Sequence, residues 1–473
     1  MTDLAVQGAA KAAELERQLA EVRAQSQKAE DTESILVFLL KQHPPIMTVP
    51  SDILIRIFEE GLKLDDGAWD NHLWFSDDKR GEIPSILVAS HVNRRWRNTA
   101  LDSSCLWRNL KITSTQSLPY LDMFLGRCGT SPLDIRIRAG KNWNDIKSRI
   151  IPLADRWRLF SGSSFSSIDV HKMITSLRSL SVPQLEGLRI QSYDHFMRVT
   201  TGPDTSLPVL EGGAPKLSSL YLLDVSLHSC YAPLTALKSL DLYMYRPGLA
   251  LDLDDMRDVL TASPSLTTLK IASAVLGSVN GREDLPPISL PCLRFLEMSF
   301  DIDCCPDRLI CIFVALSAPK LETLVIDQAP SPNIERIICA VNVLRTPHDY
   351  PNLRTLMFWD VDCAKWIGPT FIRVMPAVSD LTIVRSAGDT VLKVLLEKDT
   401  DPTAPLWPEL RTLKLSVFDI DLLSDFITRR IGAKNPIQSL TIVHDPDAPE
   451  IPKERIDWLR ECLEIHEMFP TTE

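Results

Sequence analysis

The stretch PKLETLVI at residues 319–326 contains the pattern that decides the fold of this chain, P-x-L-x-x-L-x-L, whose last position also holds Ile, Met or Phe. The other close copies are PQLEGLRI (183–190), PKLSSLYL (215–222), PSLTTLKI (264–271), PCLRFLEM (291–298), PNLRTLMF (351–358) and PELRTLKL (408–415). Looser copies are ALKSLDL (236–242), PAVSDLTI (376–383) and PIQSLTI (436–442). The first apolar positions of successive copies lie 20 to 32 residues apart. Recurrence over about 20–50 residues is typical of a solenoid built from repeats.

Each copy combines a structural break with a strand. Proline ends a preceding helix and favours an extended conformation in the residue before it. The L-x-L segment predicts a strand whose alternate side chains point to one buried face. Apolar stretches follow several copies, and they predict helices at Met256–Leu260, Leu309–Leu316, Ile334–Leu344, Phe371–Met375, Val391–Leu396 and Leu422–Ile427. Strands packed on these helices, with neighbouring repeats stacked together, would form one continuous core.

This pattern resembles the leucine-rich repeat. The resemblance implies an α/β solenoid with parallel strands on a concave inner side and helices outside. In the regular family pattern, Asn or Cys stands three positions after the last leucine, whereas the nine such positions from Val225 to Asp445 hold neither residue. We therefore predict an irregular leucine-rich-repeat solenoid over residues 183–444, followed by a capping helix within residues 445–473, around Lys453–Met468.

Residues 113–182 are predicted as a transitional segment that contains the first irregular repeats. Strand-like pieces occur at Leu133–Arg138 and Ser167–Val170, and a helical stretch lies near Ile150–Phe160.

Two short apolar segments near the N-terminus form a second pattern, VPSDILIRIF (49–58) and LVASHVNRRWRNTAL (87–101), followed by Leu106 and Trp107. Pro50 suits a first helical turn, where its missing N–H costs nothing. Helical spacing predicts an apolar stripe of Ile53, Leu54, Ile57 and Phe58 in the first segment and of Leu87, Val88, Val92 and Trp96 in the second. Two helices this short do not form a self-sufficient core, so the pattern indicates a module that packs on a partner.

In its order of elements this N-terminal stretch resembles an F-box, the helical motif that docks on a Skp-type adaptor of ubiquitin ligases, in the style common among mushroom-forming fungi. The resemblance covers residues 43–112 and departs from the family in two ways: Asp52 replaces the usual glutamate, and a polar insertion occupies Gly61–Ile83. The insertion is either a solvated loop whose aromatic side chains pack on the F-box or a binding loop.

By matching positions, the F-box resemblance places eight residues in or beneath the adaptor interface. They are Val49, Pro50, Ile53, Leu54, Ile57, Phe58, Val92 and Trp96. The sequence does not separate the residues that dock from those that hold the helices together.

Residues 1–42 precede this module and contain a predicted helix at residues 4–30, with Leu15, Leu19 and Val22 near heptad spacing. That is fewer heptads than a sustained coiled coil requires. An exposed lead-in helix and a coiled-coil dimerisation segment both remain open.

Composition restricts the partners and the compartment. The net charge of −11 argues against nucleic acid as a partner. No apolar run approaches the roughly 20 residues that a membrane helix needs, so no membrane partner is expected, and the N-terminus does not resemble a signal peptide. The ten scattered cysteines include no C-x-x-C pair, which favours a reducing compartment, the cytoplasm or the nucleus.

No catalytic motif is present. The sequence lacks the P-loop, G-x-G-x-x-G, G-x-S-x-G and H-E-x-x-H patterns, although a Cys–His pair formed only in space would leave no such motif. The densest cysteine run, Cys292, Cys304, Cys305 and Cys311, is interpreted as buried core residues rather than metal ligands. We therefore predict a protein without enzymatic activity, metal or cofactor.

Together the two resemblances imply the substrate-receptor subunit of a Skp–cullin–F-box ubiquitin ligase. The F-box would bind the adaptor, and through it a cullin, while the repeats would hold an unknown protein substrate. The alternative is a leucine-rich-repeat interaction scaffold without a role in ubiquitination. Since interface hot spots favour Trp and Tyr, the substrate-binding candidates on the concave face are Tyr221, Leu223, Tyr243, Met357 and Trp359. The alternative for these five is burial under a loop or a flanking helix.

Overall fold

The structure is a computed structural model in which the described residues are 17–21, 23–24, 49–66, 84–112, 118–194, 209–225, 227, 234–243, 253–272, 287–300, 312–313, 315–328, 350–361, 367–397, 406–444 and 451–468. The chain divides into two compact units. The first, here called the helical unit, comprises residues 1–107 and 127–129. The second, the sheet unit, comprises residues 108–126 and 130–473.

The helical unit contains α1 (Ser51–Asp66), α2 (Ser85–Val92), α3 (Arg94–Asp102) and a 3-10 helix at Ser104–Trp107. Residues 17–21 and 23–24 are also helical, within the span of the predicted N-terminal helix. Helix α1 continues into the predicted insertion as far as Asp66, and the remainder of the insertion, residues 67–83, lies outside the described residues.

The segment Leu87–Leu101 is not the single helix that the sequence suggested. Asn93 separates α2 from α3 with an extended backbone (φ −159°, ψ 175°), and its side-chain oxygen accepts the backbone N–H of Trp96 at 2.9 Å. Asparagine is among the preferred N-cap residues because its side chain satisfies an unpaired N–H of the first turn. The break shifts the buried face of α2 to Ile86, Ala89 and Ser90.

The helical unit has a small core of its own. Leu54 and Phe58 of α1 are buried, as are Leu106 and Trp107 at the end of the unit. The indole N–H of Trp107 donates to the carbonyl of Ala100 at 2.7 Å. This bond satisfies the polar edge of a fully buried ring and fixes the 3-10 helix to α3.

The sheet unit is an α/β structure built on one parallel sheet of 14 strands. Its strands are β1 (Asn109–Ile112), β2 (Leu133–Arg138), β3 (Trp157–Ser164), β4 (Gly187–Ser192), β5 (Ser219–Leu223), β6 (Ser239–Tyr243), β7 (Thr268–Ala272), β9 (Phe295–Ser299), β11 (Thr323–Asp327), β12 (Thr355–Trp359), β13 (Asp380–Ala387), β14 (Thr412–Val417), β15 (Ser439–Val443) and β16 (Glu464–Met468). Two short strands, β8 (Ile288–Ser289) and β10 (Leu316–Ser317), pair separately. The large sheet keeps the strands in chain order, which is consistent with a solenoid-like fold.

The helices of the sheet unit are α4 (Leu118–Arg127), α5 (Trp143–Ile150), α6 (Ser167–Leu177), α7 (Leu253–Thr261), α8 (Pro369–Val374), α9 (Asp389–Glu397), α10 (Ile420–Gly432) and α11 (Lys453–Cys462), with a 3-10 helix at Ile151–Arg156. Helices α7 to α10 confirm the four predicted helices that fall on described residues. The helix predicted at Ile334–Leu344 and half of that predicted at Leu309–Leu316 lie outside the described residues. In the second of these, Ile312, Phe313 and Ala315 are helical, whereas Leu316 begins strand β10.

The inward placement of the repeat leucines is confirmed. In all ten copies of the pattern, the three apolar positions are at most 3% exposed. Equivalent positions stand opposite one another in the sheet, so that Leu324 pairs in register with Leu296 on one side and with Leu356 on the other. Each leucine row therefore forms a continuous apolar layer across the strands.

Three strands end in the same type of turn, with one residue in the left-handed conformation. Asp224, Gln328 and Asp360 follow β5, β11 and β12 with φ between 50° and 53°. Their N–H groups donate to the carbonyls of Tyr243, Trp359 and Val384 on the next strand at 2.8, 2.8 and 2.9 Å. At these ends the backbone makes the cross-strand bonds directly, without the Asn or Cys of the regular family pattern.

Three sequence predictions need correction. Ser167–Val170 begins helix α6 rather than forming a strand, because Val170, Met173, Ile174 and Leu177 supply a buried helical stripe. Ile150–Phe160 is divided among the end of α5, the 3-10 helix and β3. The C-terminal helix ends at Cys462, after which Glu464–Met468 forms the last strand of the sheet. This strand is largely exposed and charged, as edge strands that resist further pairing commonly are.

The transitional segment belongs to the same sheet as the repeats. Strand β2 pairs in parallel with β1 and β3, and β3 pairs with β4 of the first repeat. The sheet therefore begins at Asn109, well before the first recognisable copy of the leucine pattern.

Candidate functional site

In the helical unit the predicted adaptor-binding residues fall into two groups. Leu54 and Phe58 are buried, and Trp96 is half-buried with its ring centre 5.1 Å from that of Phe58. These three side chains hold the helices together. The exposed members of the set are Pro50, Ile53, Ile57 and Val92, and Val49 is half-buried.

The exposed apolar side chains form one pair on each of two helices. Ile53 and Ile57 on α1 are each 42% exposed, and Val88 and Val92 on α2 are 53% and 54% exposed. Residues four apart lie on the same face of a helix. Each helix therefore carries an apolar row that the helical unit does not bury. We call these four residues the exposed apolar pairs.

Val88 was absent from the predicted adaptor-binding set. The sequence placed Val88 on one apolar stripe with Val92 and Trp96, without separating residues that dock from residues that hold the helices together. The signal that would have separated the faces is Asn93, a strong N-cap residue in the middle of that segment.

The basic cluster near the end of α2 has a structural role. Arg95 donates from Nη2 to the carbonyl of Val49, which ties α3 to the residues preceding α1. Arg94 and Arg97 are exposed. Arg95 thus stabilises the packing within the helical unit, whereas Arg94 and Arg97 are solvated.

The second candidate site is the face of the sheet opposite the buried leucines, here called the second face. Of the predicted substrate-binding residues, Tyr221, Leu223 and Tyr243 are buried there. The rings of Tyr221 and Tyr243 lie 5.7 Å apart, and the guanidinium carbon of Arg189 is 4.2 Å from the centre of the Tyr221 ring. This packing leaves these three residues little free surface, and their contact with a substrate stays a prediction.

The other two predicted residues are more accessible. Met357 is half-buried and Trp359 is 39% exposed. Lys414 Nζ lies 5.9 Å from the centre of the Trp359 ring. Trp359 therefore offers a large aromatic surface at the end of β12, and tryptophan is among the residue types enriched in interface hot spots.

Charged residues cross the second face between β6 and β9. Asp241, Lys270 and Glu297 stand opposite one another in register on β6, β7 and β9. Lys270 Nζ is 3.6 Å from Glu297, and the Tyr243 hydroxyl donates to Glu297 Oε1 at 2.8 Å. Burial and the neighbouring Glu297 carboxylate raise the pKa of the Tyr243 hydroxyl, so Tyr243 remains a donor at neutral pH.

Burial disfavours the charge of Asp241 in this group. Burial raises the pKa of its carboxyl to about 6, against partial compensation from Lys270, a hydrogen bond from Ser239 and the charge of Arg189. Glu297 adds to the increase. Alignment of the repeats by their leucines places Asp241, Lys270 and Glu297 in one row across the strands, but the sequence does not indicate that Asp241 is buried or that Lys270 pairs with Glu297.

We expect Asp241→Asn to stabilise the protein at pH 8. An acid whose pKa is raised on folding contributes most stability below its unfolded pKa and loses that contribution as pH rises through the folded value. The variant should therefore match the wild type near pH 4, gain between pH 4 and about 6, and exceed it by about 1–3 kcal/mol at pH 8. Urea unfolding at the two pH values measures this difference. Equal or lower stability of the variant at pH 8 would contradict the electrostatic account.

The described residues offer neither a cluster of metal ligands nor a disulfide. Over the described part of the chain, no group of three or more His, Cys, Asp or Glu side chains is placed to hold a metal ion. Cys105, Cys128, Cys292 and Cys462 are not in disulfide bonds. The remaining cysteines of the predicted dense run, Cys304, Cys305 and Cys311, lie outside the described residues.

Comparison with known proteins assigns no family. No protein-family model matches the chain, and no curated protein matches it. None of the helices among the described residues is long and apolar enough to cross a membrane. The exposed apolar pairs and the second face are the two candidate functional surfaces.

Proposed function

We propose that this chain is the substrate-receptor subunit of a Skp–cullin–F-box ubiquitin ligase. The helical unit acts as the F-box that docks on a Skp-type adaptor and through it on a cullin. The sheet unit acts as an irregular leucine-rich-repeat solenoid that holds a target protein. The chain itself performs no chemistry; it increases the effective concentration of the target near the ubiquitin-transferring enzyme.

The observation that carries the proposal is the presence of the exposed apolar pairs on α1 and α2. Both helices already use a separate set of side chains, including Leu54, Phe58 and Ile86, for the core of the unit. Each of these four aliphatic side chains is about half exposed, so burying the remainder would contribute roughly half of the 1.5–3 kcal/mol that full burial of such a side chain is worth. A docked adaptor helix would recover that free energy, which is the use that the F-box resemblance implies.

Reconstitution tests the proposal. The purified full chain is mixed with a recombinant Skp-type adaptor and a cullin–RING pair, and the mixture is separated by size-exclusion chromatography. We expect one complex that contains all the components. Co-elution with the adaptor but not the cullin would favour the interaction-scaffold alternative, and failure to bind the adaptor would contradict the F-box assignment.

A further inference from the structure

A second group of carboxylates lies on the second face between β9 and β12. Ser299 of β9 stands opposite Asp327 of β11, which in turn stands opposite Trp359 of β12. The neighbouring row on the same face lies two residues earlier on each strand and consists of Glu297, Val325 and Met357. Adjacent strands lie about 4.8 Å apart, so Asp327 is within side-chain reach of both Glu297 and Trp359.

Asp327 lies in an environment that disfavours its charge. Burial and the carboxylates of Glu297 and Asp360 raise its pKa to about 6, while the Ser299 hydroxyl, 3.4 Å from Oδ2, and the backbone N–H of Gln328 offset this only in part. Among the described residues, no basic side chain forms an ion pair with Asp327. Lys270, a basic residue on this face, is already engaged with Glu297.

Aromatic and thioether groups border this carboxylate. Trp359 exposes its ring beside Asp327, and Met357 is half-buried in the adjacent row. An indole face attracts cations through its quadrupole, as the position of Lys414 near the Trp359 ring illustrates. A carboxylate next to an exposed indole suits a guanidinium group, which is planar, stacks on aromatic rings and pairs with carboxylates through two parallel hydrogen bonds.

We propose that the surface formed by Glu297, Asp327, Met357 and Trp359 binds an extended, arginine-bearing segment of a partner protein. This inference rests on the proposed function, in which the sheet unit holds the target, and it specifies the chemical class of that target. One guanidinium pairs with Asp327 and stacks on Trp359, while the aliphatic part of the segment packs on Met357. Charge complementarity supports this occupant: among the described residues, Lys270 is the one ion-pair partner of the two carboxylates of this surface, and it pairs with Glu297 rather than Asp327.

The test uses three fluorescein-labelled peptides of twelve residues. One contains four arginines in a glycine–serine background, the second has citrulline in place of each arginine, and the third has lysine. Citrulline keeps the shape of arginine without its charge. Fluorescence anisotropy measures binding of each peptide to the full-length wild type, to the double variant Glu297→Gln with Asp327→Asn, and to Trp359→Ala.

A matched control removes two negative charges at positions outside the proposed surface. Glu409→Gln with Glu454→Gln changes two exposed acids of the sheet unit that lie outside the proposed surface. This control distinguishes binding at the proposed surface from general attraction between a cationic peptide and a chain of net charge −11. Circular dichroism melts establish that each variant is folded.

We expect the wild type to bind the arginine peptide at least tenfold more tightly than the citrulline peptide and more tightly than the lysine peptide. The Glu297→Gln/Asp327→Asn variant should lose at least tenfold, Trp359→Ala about fivefold, and the control less than twofold. Equal binding by the wild type and the double variant, equal binding of arginine and citrulline peptides, or an equal loss in the control would overturn the proposal. Binding of the Skp-type adaptor is measured on the same samples. If the wild type binds the adaptor but not the arginine peptide, only this inference is refuted. If it binds the arginine peptide but not the adaptor, only the F-box docking is refuted.

Discussion

Replacing Ile53 and Ile57 by aspartate is expected to abolish binding of the Skp-type adaptor, with an affinity loss of at least about 100-fold. Two carboxylates would enter an apolar interface without partners, and burying an unpaired charge costs several kcal/mol. The helical unit should remain folded, because both side chains are 42% exposed. Isothermal titration calorimetry of the full chain with purified adaptor measures the change directly.

The control must add the same charge without touching the exposed apolar pairs. Arg97→Gln with Asn98→Asp makes the chain two units more negative at exposed positions of α3. It should bind the adaptor within about twofold of the wild type. Leu54 is unsuitable for this experiment since it is fully buried, and a charge there would disrupt the core of the unit. Undiminished binding by the Ile53→Asp/Ile57→Asp variant would show that this surface is not the docking site.

Leu356→Ala is expected to destabilise the sheet unit by about 2–5 kcal/mol, as large-to-small substitutions in packed cores do. Leu356 is fully buried and stands in register between Leu324 and Leu381. Its loss would leave a cavity within a layer that continues on both sides, and in a repeat array such a defect weakens the interfaces with both neighbours. Urea unfolding followed by tryptophan fluorescence measures the change.

Thr355→Ala on the same strand is the matched control for this substitution. Thr355 is half-buried on the opposite face, so its truncation should cost less than about 1 kcal/mol. If Leu356→Ala unfolded at the wild-type midpoint, the inward register of the repeats would be wrong.

The leucine repeats were predictable because they combine two local signals. Proline marks each break and the L-x-L spacing has the period of a strand, so the sequence specifies where each strand begins and which face is buried. All ten predicted strands form and their leucines are buried. The sequence also predicted β2 at its observed bounds, Leu133–Arg138, but it did not predict strands at β1 and β3. In β3, WRLFSGSS, small polar residues replace the leucines, and Gly162 lies against Met173.

The two candidate surfaces were less accessible to sequence reasoning. Helical periodicity identifies apolar rows on α1 and α2, but it does not distinguish Leu54, which packs inside, from Ile53, which does not. That distinction depends on where α3 and the 3-10 helix pack. The pairing of Asp327 with Trp359 depends on the register of two strands 32 residues apart. The two residues are far apart in the chain. Neither this pairing nor the exposed apolar pairs correspond to a sequence motif.

Amide hydrogen exchange of the full chain, with and without saturating Skp-type adaptor, tests the central claim most directly. Docking through the exposed apolar pairs predicts slower exchange in residues 49–58 and 85–92 when the adaptor is bound, with the strands β5 to β15 unchanged. Slower exchange confined to the sheet unit, or none in α1 and α2 at saturation, would contradict the assignment of the helical unit as the docking module.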